Sequence, residues 1–213
     1  MRARFNKDSI EKLKEHEKFI DTKEQLQEKI KETLTEGKKL FVEIGMGKGE
    51  FISNMAYNDK DNMYIGVELC LPVLALAVKK INRFEEEKGC KLDNLFVMSF
   101  DALNIKEILG DYKVDKIFLN FSDPWPKKKH AKRRLTNEKF LSEYRKIMKE
   151  DAIIEFKTDN RGLFEYSLVS MQNFGFEFLE VYLDLHKTDI PNIVTEYEEK
   201  FSKFGPIYKL VVK

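Results

Sequence analysis

Short apolar runs alternate with helix-length stretches along this chain, and few architectures accept that order. The strand-like runs cover residues 39–44 (KLFVEI), 63–68 (MYIGVE), 95–99, 114–121 and 152–157. Helices are expected over 50–57, 72–84, 102–109, 137–149 and 161–173. In the second of these, Leu74, Val78 and Ile81 recur on one side. Thr136 is the expected cap of the 137–149 helix, and Gly175 the expected end of the 161–173 helix. Strands that alternate with helices at this spacing form a parallel sheet wound on both faces. The run over 114–121 is almost continuously apolar, as in a strand buried on both sides. The last two runs, 176–185 and 207–212, have no clear helix between them, so they are expected to pair antiparallel at one edge. The expected fold is therefore α/β: a mostly parallel, seven-stranded sheet with helices on both faces and an antiparallel edge.

Upstream of the first run, residues 1–20 are polar and charged, with Arg2 and Arg4 near the start, and read as an arm leading into a short helix. Leu26, Ile30 and Leu34 form a helical stripe in 22–36, with Gly37 as its C-cap. No internal repeat and no linker rich in glycine and proline divides the chain. One domain over 1–213 is expected, with an N-terminal arm and helices over 1–36 and a core over 37–213.

Composition narrows the function. The chain has 213 residues, 35% of them charged, yet its net charge is only +1. Any affinity for nucleic acid must then come from a local patch. Cys70 and Cys90 make no CxxC pair, and with three histidines no metal site is expected. Two lone cysteines, no signal-peptide core and no membrane-length run point to the cytoplasm and no membrane contact.

The loop after the first run carries Gly45, Gly47 and Gly49. In wound sheets this is where ligands sit, beyond the carboxyl ends of the strands. The dinucleotide fingerprint fails, because Glu50 stands where its third glycine would be. A nucleoside ligand without a pyrophosphate suits the loop better. Glu68, which ends the second run, is placed to accept from ribose hydroxyls. Glu43 interrupts an apolar strand just before the loop. It is either a surface residue at a sheet edge or a buried carboxylate needing partners, which the amino group of a cofactor would supply. Asp101, after the third run, falls over the base of a bound adenosine and can also cap the next helix. Together these features describe a site for S-adenosylmethionine more naturally than one for a nicotinamide cofactor.

The fourth run ends in Phe121-Ser122-Asp123-Pro124-Trp125-Pro126. Asp123 faces the same crevice, and two prolines stiffen the turn around Trp125. Trp125 is either a stacking face for a base or a core residue. From Lys127 to Arg134, six of eight side chains are lysine or arginine, suited to phosphate contacts. Lys139, Arg145, Lys146 and Lys149 are expected to extend that patch.

FSDPWPKKKHAKRR, with EIGMGKGEF before it and TEYEEKF after it, resembles the bacterial tRNA (guanine-N7-)-methyltransferase family from Glu43 to Phe201. The resemblance implies the class I methyltransferase (Rossmann-like) sheet, S-adenosylmethionine as cofactor and a guanosine in the tRNA variable loop as target. A monomer or homodimer is expected. By motif match, Glu43, Gly45, Gly47, Glu68, Asp101 and Asp123 would line the cofactor and catalytic site, with Asp123 catalytic. Lys127, Asp159, Thr195, Glu196, Tyr197 and Glu198 would bind substrate; Lys129, His130, Ala131, Lys132, Arg133 and Arg134 would touch RNA. Asp159 is also a possible helix cap. The chemistry is consistent: guanine N7 has a lone pair and no proton, so the enzyme must orient the base and accommodate a new cation rather than remove a proton. Two alternatives stand beside this reading: a methyltransferase for another base or exocyclic amine, and a non-catalytic RNA-binding protein on the same fold.

Overall fold

The computed structural model describes residues 7–213, and of Glu196 the backbone alone. Helix α1 (Lys7–Lys14) and a two-residue strand β1 (Phe19–Ile20) lead into α2 (Lys23–Thr33). There follow β2 (Leu40–Ile44), α3 (Glu50–Asn58), β3 (Met63–Val67), α4 (Leu71–Lys88), β4 (Leu95–Met98), α5 (Ile105–Leu109) and β5 (Val114–Asn120). The chain continues through α6 (Glu138–Ile147), β6 (Met148–Thr158), α7 (Arg161–Phe174), β7 (Phe178–Tyr182), α8 (Glu196–Phe201) and β8 (Tyr208–Val212).

The strands form one sheet in the order β1-β4-β3-β2-β5-β6-β8-β7. All neighbours pair parallel except β8, which lies antiparallel between β6 and β7. The mostly parallel sheet with an antiparallel edge is thus as the sequence led one to expect. Among the described residues the strand count is eight rather than seven, because Phe19 and Ile20 pair with Val97 and Met98 at the far edge. Two residues are too few to show any periodicity. What reads as an arm in sequence is therefore partly built into the body: Ile20, Leu26 and Ile30 belong to the same apolar cluster as Val42 and Ile44. Arg2 and Arg4 lie outside the described residues.

Parity along the strands separates two apolar clusters. Val42, Ile44, Ile65 and Val67 fall in one, while Tyr64, packed on by Phe41, falls in the other. Successive strand residues face opposite ways, so the sheet is buried on both sides.

Local expectations differ from the structure at three helix ends. Helix α2 stops at Thr33, with the Leu34 N–H bonded to Ile30 O, and Gly37 instead makes a left-handed turn (φ 84°) before β2. Asn137, not Thr136, caps α6; Thr136 is fully buried, its hydroxyl 2.8 Å from that of Ser167, and ties α6 to α7. Helix α4 runs on to Lys88 because Glu85 is not a loop residue: it is buried and paired at 3.0 Å with buried Lys18.

The strand order reverses between β2 and β5, which are hydrogen-bonded neighbours at the centre of the sheet. In a wound sheet a crevice opens there, at the carboxyl ends. The glycine loop after β2 and the Asp123 turn after β5 both stand at that crevice.

Candidate active site

The glycine loop owes its shape to backbone angles that side chains disfavour. Gly45, Gly47 and Gly49 have φ of 76°, 56° and 77°. The N–H groups of Gly45 and Met46 both donate to Val67 O, at 2.8 and 3.0 Å, folding the loop against β3. Gly66 on β3 permits this: a Cβ there would lie 2.1 Å from Met46 Sδ. The loop in turn presets Glu68. Gly47 N–H donates to its Oε2 at 3.1 Å and Cys70 N–H to its Oε1 at 2.9 Å. Burial pushes the Glu68 carboxyl up, the amides pull it back, and the negative charge of Asp123 adds to the rise. Glu68 and Asp123 therefore share one field at the crevice, and hydroxyl donors or a cation bound between them would relieve it.

Glu43 is buried at the centre of the sheet, so it is not a surface residue at an edge. Asn120 Nδ2, at the end of β5, donates to its Oε1 at 2.9 Å. Glu43 Oε2, Asn120 Oδ1 and the neighbouring Ser122 Oγ are buried without a hydrogen-bond partner among the described residues. Orphaned polar atoms of this kind call for a ligand. Burial pushes the Glu43 carboxyl up to about 8, against the pull of Asn120 and Lys157. The folded protein thus holds a proton that the unfolded chain releases at its ordinary value of 4.5, so stability must fall as pH rises from there through about 8. Glu43→Gln removes this slope. Thermal melts of the ligand-free variant should be flatter with pH than wild type and higher at alkaline pH; parallel curves would show that Glu43 does not titrate in this window.

A cavity of about 500 Å3 opens beside Glu43. Gly45, Gly47 and Asn120 line one side, Thr195 and Tyr197 the other. A cavity of about 550 Å3 at the opposite, amino-terminal end of the sheet is lined by Lys39, Asp115 and Lys149, and Lys149 is bonded to both Asp115 oxygens at 2.9 Å. None of the expected site residues approaches that cavity.

The wall formed by Thr195 and Tyr197 is pinned by Lys157, a fully buried lysine at the end of β6. Its Nζ donates to Glu198 Oε2 at 2.8 Å, to Asn192 Oδ1 at 3.1 Å and to Ile193 O at 3.1 Å. Glu198 is fully buried too. Its Oε1 accepts from Asn192 Nδ2 at 2.6 Å and lies 2.9 Å from His186 Nε2. Burial alone would raise the Glu198 carboxyl, but Lys157, Asn192 and His186 hold it below its usual value. Both oxygens are taken, so Glu198 anchors the segment rather than reaching into the cavity. Thr195 and Glu198 close a capping box on α8. Tyr197 is 42% exposed, stacks 4.2 Å from Phe201, lies tilted 5.1 Å from the Phe121 ring, and donates to Asp159 Oδ2 at 3.2 Å. The helix cap expected of Asp159 belongs to Asn160, whose Oδ1 accepts from Leu163 N. The Glu196 side chain lies outside the described residues.

After β5 the backbone turns left-handed twice, at Phe121 (φ 49°) and Trp125 (φ 41°). For residues other than glycine such angles cost about 1–3 kcal/mol each and mark functional turns. Asp123 is exposed on this turn, with Lys127 just beyond it. Trp125 is neither a core residue nor a free stacking face: His130 meets it edge-on at 5.7 Å and the Arg133 guanidinium covers it at 4.8 Å. Lys128–Arg133 form a 3-10 turn on which Lys129 and Lys132 are exposed, Ala131 is half-buried, and Arg134 folds back toward the turn. No ion pair among the described residues joins this run to a carboxylate. The expected extension of the patch over Lys139, Arg145, Lys146 and Lys149 does not hold for three of these residues, and Lys149 lies on β6 rather than on α6. Arg145 lies 4.0 Å over the Phe176 ring, Lys146 pairs with Glu143 and Lys149 with Asp115. Asp101 caps the turn after β4, its Oδ1 accepting from Leu103 N at 3.0 Å, and stays exposed.

The structure thus gathers Glu43, Gly45, Gly47, Thr195 and Tyr197 around one cavity, with Glu68 and Asp159 bonded to its walls. Asp101, Asp123 and Lys127 stand at the same end of the sheet, outside the lining of that cavity. Sequence reading missed Asn120, Lys157, Asn192 and His186. Lys157 carried a signal: like Glu43, it is a charged residue near the carboxyl end of a mostly apolar strand.

Among the described residues no cluster of histidine, cysteine, aspartate or glutamate could hold a metal, and no helix is long and apolar enough to cross a membrane. A family model described as "Putative methyltransferase" matches residues 37–210. The tRNA (guanine-N(7)-)-methyltransferase of Lactiplantibacillus plantarum is 47% identical over 174 residues, which is 81% of this chain and 78% of that protein. Its counterpart in Lachnoclostridium phytofermentans is 41% identical over 214 residues, covering 99% of this chain and 97% of that one. A solved "Antibiotic Related Methyltransferase" superposes with a TM-score of 0.63 at 20% identity, over 90% of this chain and 92% of that one, a likeness of fold alone. A match in sequence that runs through the glycine loop, the Asp123 turn and the α8 wall alike places the chain in the tRNA (guanine-N7-)-methyltransferase family.

Proposed function

We propose that the protein transfers the methyl group of S-adenosylmethionine to N7 of a guanosine in the variable loop of tRNA. The observation that carries this is one of placement. The cavity at Glu43 and the glycine loop, the exposed carboxylate of Asp123 and a basic run without acidic partners among the described residues all stand at the carboxyl end of one sheet.

S-adenosylmethionine supplies an electrophilic methyl on a cationic sulfur. Its amino group fits the unpartnered oxygens of Glu43 and Asn120, and its ribose hydroxyls fit Glu68. Asp101 serves the adenosine end, beyond β4. Asp123 accepts from guanine N1–H and N2–H, which turns N7 inward and sets a negative charge beside the purine as it becomes cationic. No group is needed to take a proton from N7. Lys127, Tyr197 and Asp159 hold the nucleoside, while Lys129 and Lys132 meet phosphates.

The test supplies labelled S-adenosylmethionine and tRNA without base modifications, digests the RNA and identifies the product. Label in 7-methylguanosine is expected. Label in another nucleoside, or none, overturns the proposal.

A further inference from the structure

Arg134 ends the basic run, yet it does not point where the exposed lysines do. Its Nε donates to Pro124 O at 3.0 Å and its Nη2 to Trp125 O at 3.0 Å. The guanidinium also lies 4.3 Å over the Tyr166 ring of α7, and the residue is half-buried. We infer that Arg134 is a positioning residue for the turn that carries Asp123, and not a phosphate contact. The inference rests on the methyl-transfer reading above and assigns this arginine a part in it.

The physical argument starts from what the turn lacks. Pro124 and Pro126 have no N–H, so the turn cannot hold itself with backbone donors at those positions. Trp125 between them sits at φ 41°, an angle a side chain disfavours. A planar fork of donors on two consecutive carbonyls fixes the peptide planes on both sides of Trp125. Asp123 is bonded directly to Pro124, so its carboxylate goes where that plane goes. Arg134 is itself held on two sides. Its ring partner belongs to α7, and its N–H donates to Ala131 O at 3.0 Å, closing the 3-10 turn over Lys128–Arg133. That short piece carries Lys129 and Lys132. The cations offered to RNA and the donors that shape the catalytic turn are therefore two ends of one element.

The experiment compares Arg134→Lys and Arg134→Ala with Lys129→Ala and the wild type, at saturating S-adenosylmethionine, for kcat, tRNA affinity and its salt dependence. Both Arg134 variants are expected to lose kcat by about 10- to 100-fold, the scale set by misplacing a reacting group by an ångström. Their salt slope stays at the wild-type value. Lysine does not rescue, because an ammonium cannot span two carbonyls as a fork. Lys129→Ala, at a phosphate contact, should instead lower the salt slope by about one. A lower salt slope with intact kcat in Arg134→Ala, restored by lysine, overturns the inference in favour of a phosphate contact.

A second readout needs no substrate. Trp125 is the only tryptophan in the chain, so its fluorescence reports on the turn alone. Arg134→Lys should make it more accessible to acrylamide, and unchanged quenching would overturn the positioning role even if the alanine variant fails to fold. Wild-type protein that makes no 7-methylguanosine counts against the methyl-transfer reading itself, whereas an active wild type with unaffected Arg134 variants counts against this inference alone.

Discussion

Asp123→Ala should lower turnover on tRNA by about 10²- to 10³-fold, the usual effect of removing one group that stabilises charge forming in a transition state. Affinity for tRNA should largely survive. Asp123 is exposed and makes no ion pair among the described residues, so its loss leaves no buried group stranded and the fold should tolerate it. On the proposed reading, phosphate contacts supply most of the grip on RNA and belong to the lysines beyond the turn. What disappears, on the proposed reading, is the acceptor that orients the purine and the negative charge beside it. Asp123→Asn keeps the shape and one acceptor but not the charge, and should fall between the two. Single-turnover rates at saturating cofactor, measured beside tRNA binding, settle the matter. A parallel fall in tRNA affinity would make Asp123 part of the grip, and an undiminished rate would remove it from the chemistry.

The largest effect on stability is expected at Lys157. Replacing it with methionine leaves the fully buried Glu198 carboxylate without its cation, a loss of about 3–5 kcal/mol for a broken buried pair. It also leaves Asn192 Oδ1 and the Ile193 carbonyl without their donor, which loosens the segment that carries Thr195 and Tyr197. Weaker cofactor binding should accompany the lower stability. Removing both charges, as in Lys157→Met with Glu198→Leu, should recover most of the stability, because an apolar pair of similar volume avoids the stranded charge. It should not restore the cavity wall, since the donors to Asn192 and Ile193 are still absent. Urea unfolding of the single and double variants provides the measurement. A single variant within about 0.5 kcal/mol of wild type, where ordinary surface substitutions fall, would show that the pair does not fasten the wall.

The architecture was legible because each wound strand must be apolar over its length and each connecting helix must show one apolar side. Runs such as 63–68 and 114–121 satisfy this without help from distant residues. Elements that lack an internal period were not legible. Phe19–Ile20 is a strand only because Val97 and Met98 offer it an edge, and the last turn of α4 is a helix because Glu85 finds Lys18. Charge was the harder signal. The lysines and arginines from Lys127 to Arg134 look alike in a string, yet Lys129 faces solvent, Arg133 covers Trp125 and Arg134 grips the backbone behind it. Glu198 sits in the same motif as Tyr197, yet one is fully buried with both oxygens engaged and the other half open to solvent.

By itself the sequence determined the wound sheet, the glycine loop, the residue types at each strand end and, through the motifs of 43–51, 121–134 and 195–201, the family. These depend on short-range spacing, which a chain carries whether or not it is folded. Only the tertiary structure decided which charged groups border the cavity and which face each other. Glu43 meets Asn120 across 77 positions and Lys157 meets Glu198 across 41. Arg134 reaches back 10 positions to Pro124 through a turn whose left-handed angle no spacing announces. A carboxylate or a guanidinium takes its role from the partner that folding brings within about 3 Å, because a hydrogen bond weakens steeply beyond that range.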